Sequence, residues 1–195
     1  MSNMKTCPNC GEPLAISAKF CPKCGAQFKK PLLKRLLLPI ICIVAIVIAV
    51  GIFSGSSEKQ DALIAYINED IKDLAKLEEE MLDSYHSVVG SNYTDDYTMY
   101  NEITNTTIPL CHELNEKVLE ISPSDPEIAE VHNLYRKCVS KYLNAMGMAS
   151  AALENQDVDQ VLKANDLIDE ATDLAFDFQQ ALQKLADERD VVFNK

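Results

Sequence analysis

Four cysteines near the N-terminus have the type and spacing of a metal site. They form two pairs, Cys7-Pro-Asn-Cys10 and Cys21-Pro-Lys-Cys24, each followed by a glycine, in the pattern C-x2-C-x10-C-x2-C. Two thiolates two residues apart can hold one metal ion, because the turn between them folds the backbone back on itself. Four thiolates complete a closed tetrahedral shell, the arrangement of structural zinc. The pattern therefore predicts a zinc site whose ligands are Cys7, Cys10, Cys21 and Cys24.

Other uses of these four cysteines are less well supported. A thioredoxin-like redox site requires a βαβ context, and disulfides are rare in a reducing compartment. A rubredoxin-type iron site would use the same four thiolates, so that alternative stays open. A segment this small cannot fold by apolar burial alone, and we expect it to need its metal. We predict a hairpin between the two pairs, with one strand over residues 13–16 and the next beginning at Lys19 and Phe20.

The net charge of -12 is unevenly distributed along the 195 residues. Residues 1–35 carry a net charge of +6, residues 36–53 carry no charged side chain, and residues 54–195 carry -18. Strong acidity argues against nucleic acid as a partner. The argument applies to residues 54–195, which are acidic. It fails for residues 1–35, which are basic.

The uncharged run over residues 36–53 reads LLLPIICIVAIVIAVGIF. A helix of this length covers ~27 Å, close to the ~30 Å hydrocarbon core of a bilayer, so the run predicts a transmembrane helix. A cleaved signal peptide and a buried core helix fit less well, because some 35 residues precede the run and it has no polar stripe. A topology-setting basic cluster precedes it, formed by Lys29, Lys30, Lys34 and Arg35. The positive-inside rule then predicts a single-pass cell-membrane protein with a cytoplasmic N-terminus and an extracytoplasmic C-terminus.

Residues 5–53 resemble the bacterial zinc-ribbon membrane proteins, in which a short N-terminal ribbon precedes a basic linker and one transmembrane helix. The resemblance rests on the two CPxCG motifs, the basic linker and the apolar run. It implies that Cys7, Cys10, Cys21 and Cys24 are the metal ligands, with the ribbon in the cytoplasm and a further domain outside. The outer domains of such proteins vary, so the resemblance implies no particular activity.

Helical periodicity extends over almost all of residues 58–195. Apolar residues at steps of three and four predict a first helix over 58–89 and a second over 100–121, which Pro109 should kink or delay. Ser124 and Pro126 are expected to begin a third helix, and the loop 155–157 leads to a fourth. Short loops between amphipathic helices predict an antiparallel four-helix bundle.

The predicted fold class is therefore mainly α, with a zinc ribbon, one transmembrane helix and a C-terminal bundle. The expected domains are the ribbon over 1–28, a basic linker over 29–35, the transmembrane helix over 36–53, a linker over 54–60 and the bundle over 61–195.

Cys111 and Cys138 lie at nearly equal distances from the turn between the second and third helices. In an antiparallel hairpin, such positions are neighbours. Two interpretations stay open, a disulfide between them and a pair of buried free thiols that pack as small apolar side chains.

The sequence contains no nucleophile elbow, phosphate loop or HExxH motif, so we expect no enzyme activity. Zn is the expected cofactor, and the expected partners are a lipid bilayer and a protein on one or both sides, in a sensing or scaffolding role, with a homodimer as a further option. The alternative is a membrane-tethered regulator whose basic ribbon contacts nucleic acid. An acidic run follows one side of the fourth helix and is interpreted as a solvated face, with binding of cations or a basic partner as the alternative: Asp166, Asp169, Glu170, Asp173 and Asp177.

Overall fold

The computed structural model describes residues 4–7, 9–15, 21, 23–24, 26, 48–51 and 57–194. The chain divides into two compact units, Met1–Arg35 and Leu36–Lys195. The predicted basic linker 29–35 lies outside the described residues, and with it the cluster Lys29, Lys30, Lys34 and Arg35.

The N-terminal unit contains a hairpin of two short strands, β1 (Met4–Thr6) and β2 (Pro13–Ala15). They pair antiparallel, with Met4 opposite Ala15 and Thr6 opposite Pro13. The prediction of a strand beginning near Pro13 is confirmed for residues 13–15, which pair with a strand that the sequence analysis did not predict. The partner precedes Cys7, so the hairpin encloses the first cysteine pair. The predicted second strand at Lys19 and Phe20 lies outside the described residues.

The apolar run 36–53 differs from its prediction where it is described. Residues Ile48–Gly51 form an extended strand, β3, which pairs antiparallel with β4 (Val191–Asn194). β-Branched residues are common in both strands and favour extended backbone. An extended strand cannot belong to a continuous helix, so the helix predicted over 36–53 is wrong at these four residues. The other residues of the run lie outside the described part.

Within the described part of the chain, no helix is both long enough and apolar enough to cross a bilayer. This finding contradicts the predicted localisation as a single-pass cell-membrane protein with a cytoplasmic N-terminus.

Helices make up most of the second unit. In chain order they are α1 (Glu58–Ala65), α2 (Lys72–His86), α3 (Asp96–Glu102), α4 (Ile108–Glu120), α5 (Pro126–Asn155) and α6 (Val158–Glu188). The π-helical segment Tyr66–Ile71 joins α1 to α2, and a second one, Ile103–Thr107, joins α3 to α4. The chain between Glu58 and Glu188 therefore runs as four long helical stretches, as the periodicity predicts.

Aspartates begin three of these stretches. Asp95, Asp125 and Asp157 each accept hydrogen bonds from two backbone N–H groups of the following turn. These bonds satisfy donors that have no partner inside the helix. The cap predicted at Ser124 lies one residue later, at Asp125, while Pro126 takes the first helical turn as predicted.

Pro109 neither delays the second stretch nor ends it. The stretch begins at Asp96, and Pro109 lies in the first turn of α4 directly after the π-helical segment. A proline removes one backbone donor and crowds the preceding turn, and a wider π-helical turn accommodates both effects. The disturbance predicted at Pro109 therefore takes the form of a local widening of the helix, and not of a kink or a delayed start.

The helices pack in chain order, α2 against α4, α4 against α5 and α5 against α6. Cys138 of α5 contacts Ala171 of α6, and three residues further along α5 Lys141 pairs with Glu170, so these two helices are antiparallel. The core between the helices includes the fully buried Tyr85, Tyr135, Tyr142 and Phe178, and the rings of Tyr135 and Phe178 are stacked 5.1 Å apart.

Arg189, just after α6, connects three helix ends. Its Nη1 donates to the carbonyl oxygen of Lys59 at 2.8 Å, and its Nη2 donates to Asp125 Oδ1 at 2.9 Å and also to Glu127. The side chain is only 5% exposed, and that of Asp125 is 11% exposed. A buried charge is tolerated only when it is paired and hydrogen-bonded, and the planar guanidinium meets both conditions. We call this group the Arg189 clasp.

We predict that Asp125→Asn lowers the free energy of unfolding by about 2 kcal/mol, because it leaves part of the buried guanidinium charge uncompensated. The hydrogen bond from Arg189 holds the pKa of the Asp125 carboxyl below its usual value. A carboxyl with a lowered pKa stabilises the fold above its unfolded pKa and loses that effect as the pH falls. The difference between wild type and variant in urea unfolding should therefore be full at pH 7 and shrink below about pH 4.

Asp157→Asn is the matched control. Asp157 caps α6 with the same backbone geometry but has no buried arginine beside it. Asparagine caps a helix about as well as aspartate, so the control should lose much less stability than Asp125→Asn. Equal losses in the two variants would mean that the clasp adds nothing beyond helix capping.

Candidate metal centre

The same backbone hydrogen bond occurs at both cysteine pairs. The N–H of Cys7 donates to the carbonyl of Glu12 at 2.8 Å, and the N–H of Cys21 donates to that of Ala26 at 2.8 Å. In the first pair, the N–H of Gly11 also donates to the carbonyl of Cys7 at 2.9 Å. Gly11 has φ +74, a conformation that is strained for residues with a side chain. The first pair therefore lies in a tight turn, and the second pair shares its hydrogen bond from the first cysteine to the residue five positions later.

The two turns bring all four cysteines together. Their Sγ atoms lie within 4.8 Å of one another. The Sγ atoms of Cys7 and Cys24 are 3.7 Å apart, and those of Cys10 and Cys21 are 3.5 Å apart. A tetrahedral zinc ion with Zn–S bonds of ~2.3 Å requires sulfurs about 3.8 Å apart. The four sulfurs therefore fit zinc, with one cysteine of each pair facing one of the other.

One side of the metal site is buried and the other is exposed to solvent. Cys7 and Cys21 are buried and pack with Leu14 and the partly buried Ala26 in a small apolar cluster. Cys10 and Cys24 are exposed. The first cysteine of each pair therefore anchors the metal to the core of the unit, and the second closes the shell from the solvent side.

Two of the four thiols have shifted pKa values, in opposite directions. A hydrogen bond from the backbone N–H of Ala26 lowers the pKa of Cys24 to about 6, and Asn9 Nδ2 donates to the same sulfur at 3.6 Å. At Cys10 the N–H of Glu12 also acts to lower the pKa, but loss of water and the neighbouring sulfurs outweigh it and raise the pKa to about 12. Of these two thiols, Cys24 therefore loses its proton more readily than Cys10.

Comparison with known families agrees with this geometry. Residues 3–28 match the family model of a zinc-ribbon domain. The N-terminal unit contains a zinc ribbon. No curated protein and no solved structure gives a significant match to the chain. The family match covers the ribbon alone and assigns no role to the helical unit.

The zinc ribbon contains two contacts that the sequence analysis missed. Lys23 Nζ forms an ion pair with Glu12 Oε2 at 2.6 Å, which joins the second cysteine pair to the first. Asn9 reaches the sulfur of Cys24 across the same gap. Asn9 and Lys23 occupy the variable positions of the two CPxC motifs, so the sequence gives no signal for these contacts. They become visible only when the two motifs are placed side by side in space.

Cys111 and Cys138 in the helical unit are both buried free thiols, the second of the two alternatives left open. Cys138 Sγ donates to the carbonyl oxygen of Ala171 at 3.0 Å, so this thiol faces α6. Burial raises the pKa of Cys111 to about 12 and also raises the pKa of Cys138. Both groups are therefore neutral packing residues.

His132 is buried and has both ring nitrogens occupied. Nε2 lies 2.9 Å from the carbonyl oxygen of Val118, and Nδ1 lies 3.0 Å from the Tyr66 hydroxyl. A carbonyl can only accept, so Nε2 carries the hydrogen and Nδ1 accepts from Tyr66. Burial lowers the pKa of His132 and keeps the ring neutral. This histidine joins three helical stretches and has no free nitrogen for a substrate.

We predict that Cys7→Ser/Cys10→Ser reduces bound zinc from one ion per chain to none and unfolds the zinc ribbon, because two thiolates cannot close the shell. Native mass spectrometry of the full chain measures the zinc content. The far-ultraviolet circular dichroism of the helices should stay unchanged. Cys111→Ala is the matched control, and a loss of zinc in that variant would contradict the assignment of the ligands.

We also predict that the apparent zinc affinity falls as the pH is lowered. The ribbon needs zinc to fold, so the ion binds to a chain whose cysteine thiols are still protonated at neutral pH, and it must displace those protons. A plot of log affinity against pH should therefore rise with pH between pH 5 and pH 8. Competition with a chromophoric zinc chelator over this range tests this, and an affinity that does not change with pH would contradict it.

Proposed function

We propose that this protein is a non-enzymatic interaction protein, in which a zinc-stabilised ribbon and a helical unit each present a surface to a protein partner, in a scaffolding or sensing role. One observation carries the proposal. The four sulfurs that can hold zinc all come from the chain and complete the tetrahedral shell. Catalytic zinc sites keep one position open for water or substrate, whereas closed four-thiolate sites are structural.

The helical unit supports the same conclusion. We propose that it is an antiparallel four-helix bundle, and the contacts between helices that follow one another in the chain support this architecture. Two of the polar side chains that reach its interior, Arg189 and His132, hold helices together. A general base needs a free site within hydrogen-bond reach of a substrate, and His132 has none.

Nucleic-acid binding by the ribbon is the less supported alternative. Lys23 is the ribbon lysine whose side chain lies within the described residues, and Glu12 neutralises its charge at 2.6 Å. The described part of the ribbon therefore offers no cluster of unpaired basic side chains of the kind that binds phosphates.

The test is cross-linking of the intact protein to its partners in its native cells, with the cross-linked residues located by mass spectrometry. We expect wild type to give specific protein partners on the ribbon or on the helices. Cys7→Ser/Cys10→Ser should lose the partners of the ribbon and keep those of the helical unit, and Cys111→Ala should keep both sets. A set of cross-links no larger than that of an unrelated acidic helical protein would overturn the proposal.

A turnover measurement complements the cross-linking. The zinc-loaded full chain should show no hydrolysis of a panel of ester, peptide, phosphoester and glycoside substrates above that of Cys7→Ser/Cys10→Ser. Zinc-dependent turnover of any of these substrates would contradict a structural role for the metal.

A further inference from the structure

The solvent-facing side of α6 carries large apolar side chains that are not buried in the helical unit. Val158 is 51% exposed, Leu162 53% and Phe176 60%. At about 100° per residue these three positions lie within about 40° of one another on the helix surface, and they extend over ~27 Å of its length. Exposed apolar residues scattered singly are common, so these three indicate an interaction surface only together with the charges beside them.

Carboxylates occupy the same side of α6, between the apolar residues. Asp166, Asp169 and Asp173 lie between Leu162 and Phe176 and are exposed. Among the described residues, none of the three has an ion-pair partner. We call Val158, Leu162, Phe176 and these three aspartates the α6 outer face.

At the edge of this surface, one carboxylate does have an ion-pair partner. Glu170, beside the α6 outer face, pairs with Lys141 of α5. Residues 158–177 contain six acidic residues and a single basic one, Lys163. The carboxylate nearest α5 is thus compensated within the protein, whereas those in the middle of the face are left for solvent or for a partner.

The charge of the face selects among the possible occupants. A second copy packed face to face around a twofold axis would oppose like charges, which costs binding energy. Nucleic acid and anionic lipid headgroups would be repelled in the same way. A polypeptide that carries lysine or arginine beside apolar side chains would satisfy both features of the face.

We propose that the α6 outer face is a docking surface for a basic amphipathic helix of another protein. Leu162 and Phe176 anchor its apolar side, and the aspartates pair with its cationic side chains and steer its approach. This inference rests on the proposed function and goes further, because it names the surface and the chemistry of the partner.

The probe is a fluorescein-labelled 18-residue helical peptide of lysine and leucine, patterned so that leucine occupies one face. A permuted peptide of the same composition, without an apolar face, is its control. Both are titrated with the zinc-loaded full chain, and anisotropy is measured at low and at physiological salt. We expect binding of the patterned peptide to weaken with salt, and the permuted peptide to bind at least tenfold more weakly.

Two variants test the two halves of the surface. Leu162→Ala/Phe176→Ala and Asp166→Asn/Asp169→Asn/Asp173→Asn should each weaken binding of the patterned peptide at least tenfold, and the second should also flatten the salt dependence. Two controls should stay within twofold of wild type. They are Leu119→Ala, at an apolar residue of α4 that is 49% exposed, and Asp73→Asn/Glu79→Gln/Asp83→Asn, which removes three exposed charges from α2.

Four results would overturn the inference. They are failure of the patterned peptide to bind, equal binding of the permuted peptide, an equal loss in the α2 charge variant, and a dimer in sedimentation analysis that Phe176→Ala dissociates. The last result would identify a second copy as the occupant. Native partners that cross-link to the ribbon or to helices other than α6 would overturn this inference and leave the proposed function standing.

Discussion

Four sulfur atoms within 4.8 Å of one another can all be thiolates only when a cation lies among them, and the zinc ribbon depends on that constraint. Its apolar cluster contains two of the ligands themselves, Cys7 and Cys21, with Leu14 and Ala26 beside them. So few buried groups cannot compensate the entropy of ordering some 25 residues. The metal and the core of this unit are therefore one structure, and the glycine after the first cysteine pair supplies the backbone conformation that both require.

The helical unit meets the same requirement by a different route. Its interior contains polar groups, and those described above are compensated by partners from distant parts of the chain. Arg189 is held by a carboxylate and a carbonyl at two other helix ends, and His132 lies between a hydroxyl and a carbonyl. Deep polar groups of this kind contribute little net stability, but a partner misplaced by one turn leaves a charge or a ring nitrogen unsatisfied. They therefore select one packing arrangement among several that the apolar surfaces alone would permit.

The cysteine spacing and the 3.6-residue periodicity were sufficient to predict the metal ligands and the four helical stretches, because both are local patterns. Strand β3 shows where such reasoning fails, because an apolar run of β-branched residues fits either a helix or a strand until its pairing partner is known. That partner, Val191–Asn194, is 140 residues away. The Arg189 clasp was missed for the same reason, since an arginine after a helix looks like any surface charge. Cys111 and Cys138 lie at similar distances along the chain from the turn between their helices. Spacing does not fix the rotation of a helix about its axis, and this rotation directs Cys138 to α6.

The separation between Lys59 and Arg189 has a consequence for the order of folding. Their hydrogen bond closes a loop of 130 residues, whereas α5 and α6 are joined by only two residues. Short loops close with a small loss of chain entropy and form early, and contacts between distant residues form later. The α5–α6 hairpin is therefore expected to assemble first and the clasp last. Interactions that form after the transition state slow unfolding more than they speed folding, so the clasp should determine how long the native state persists.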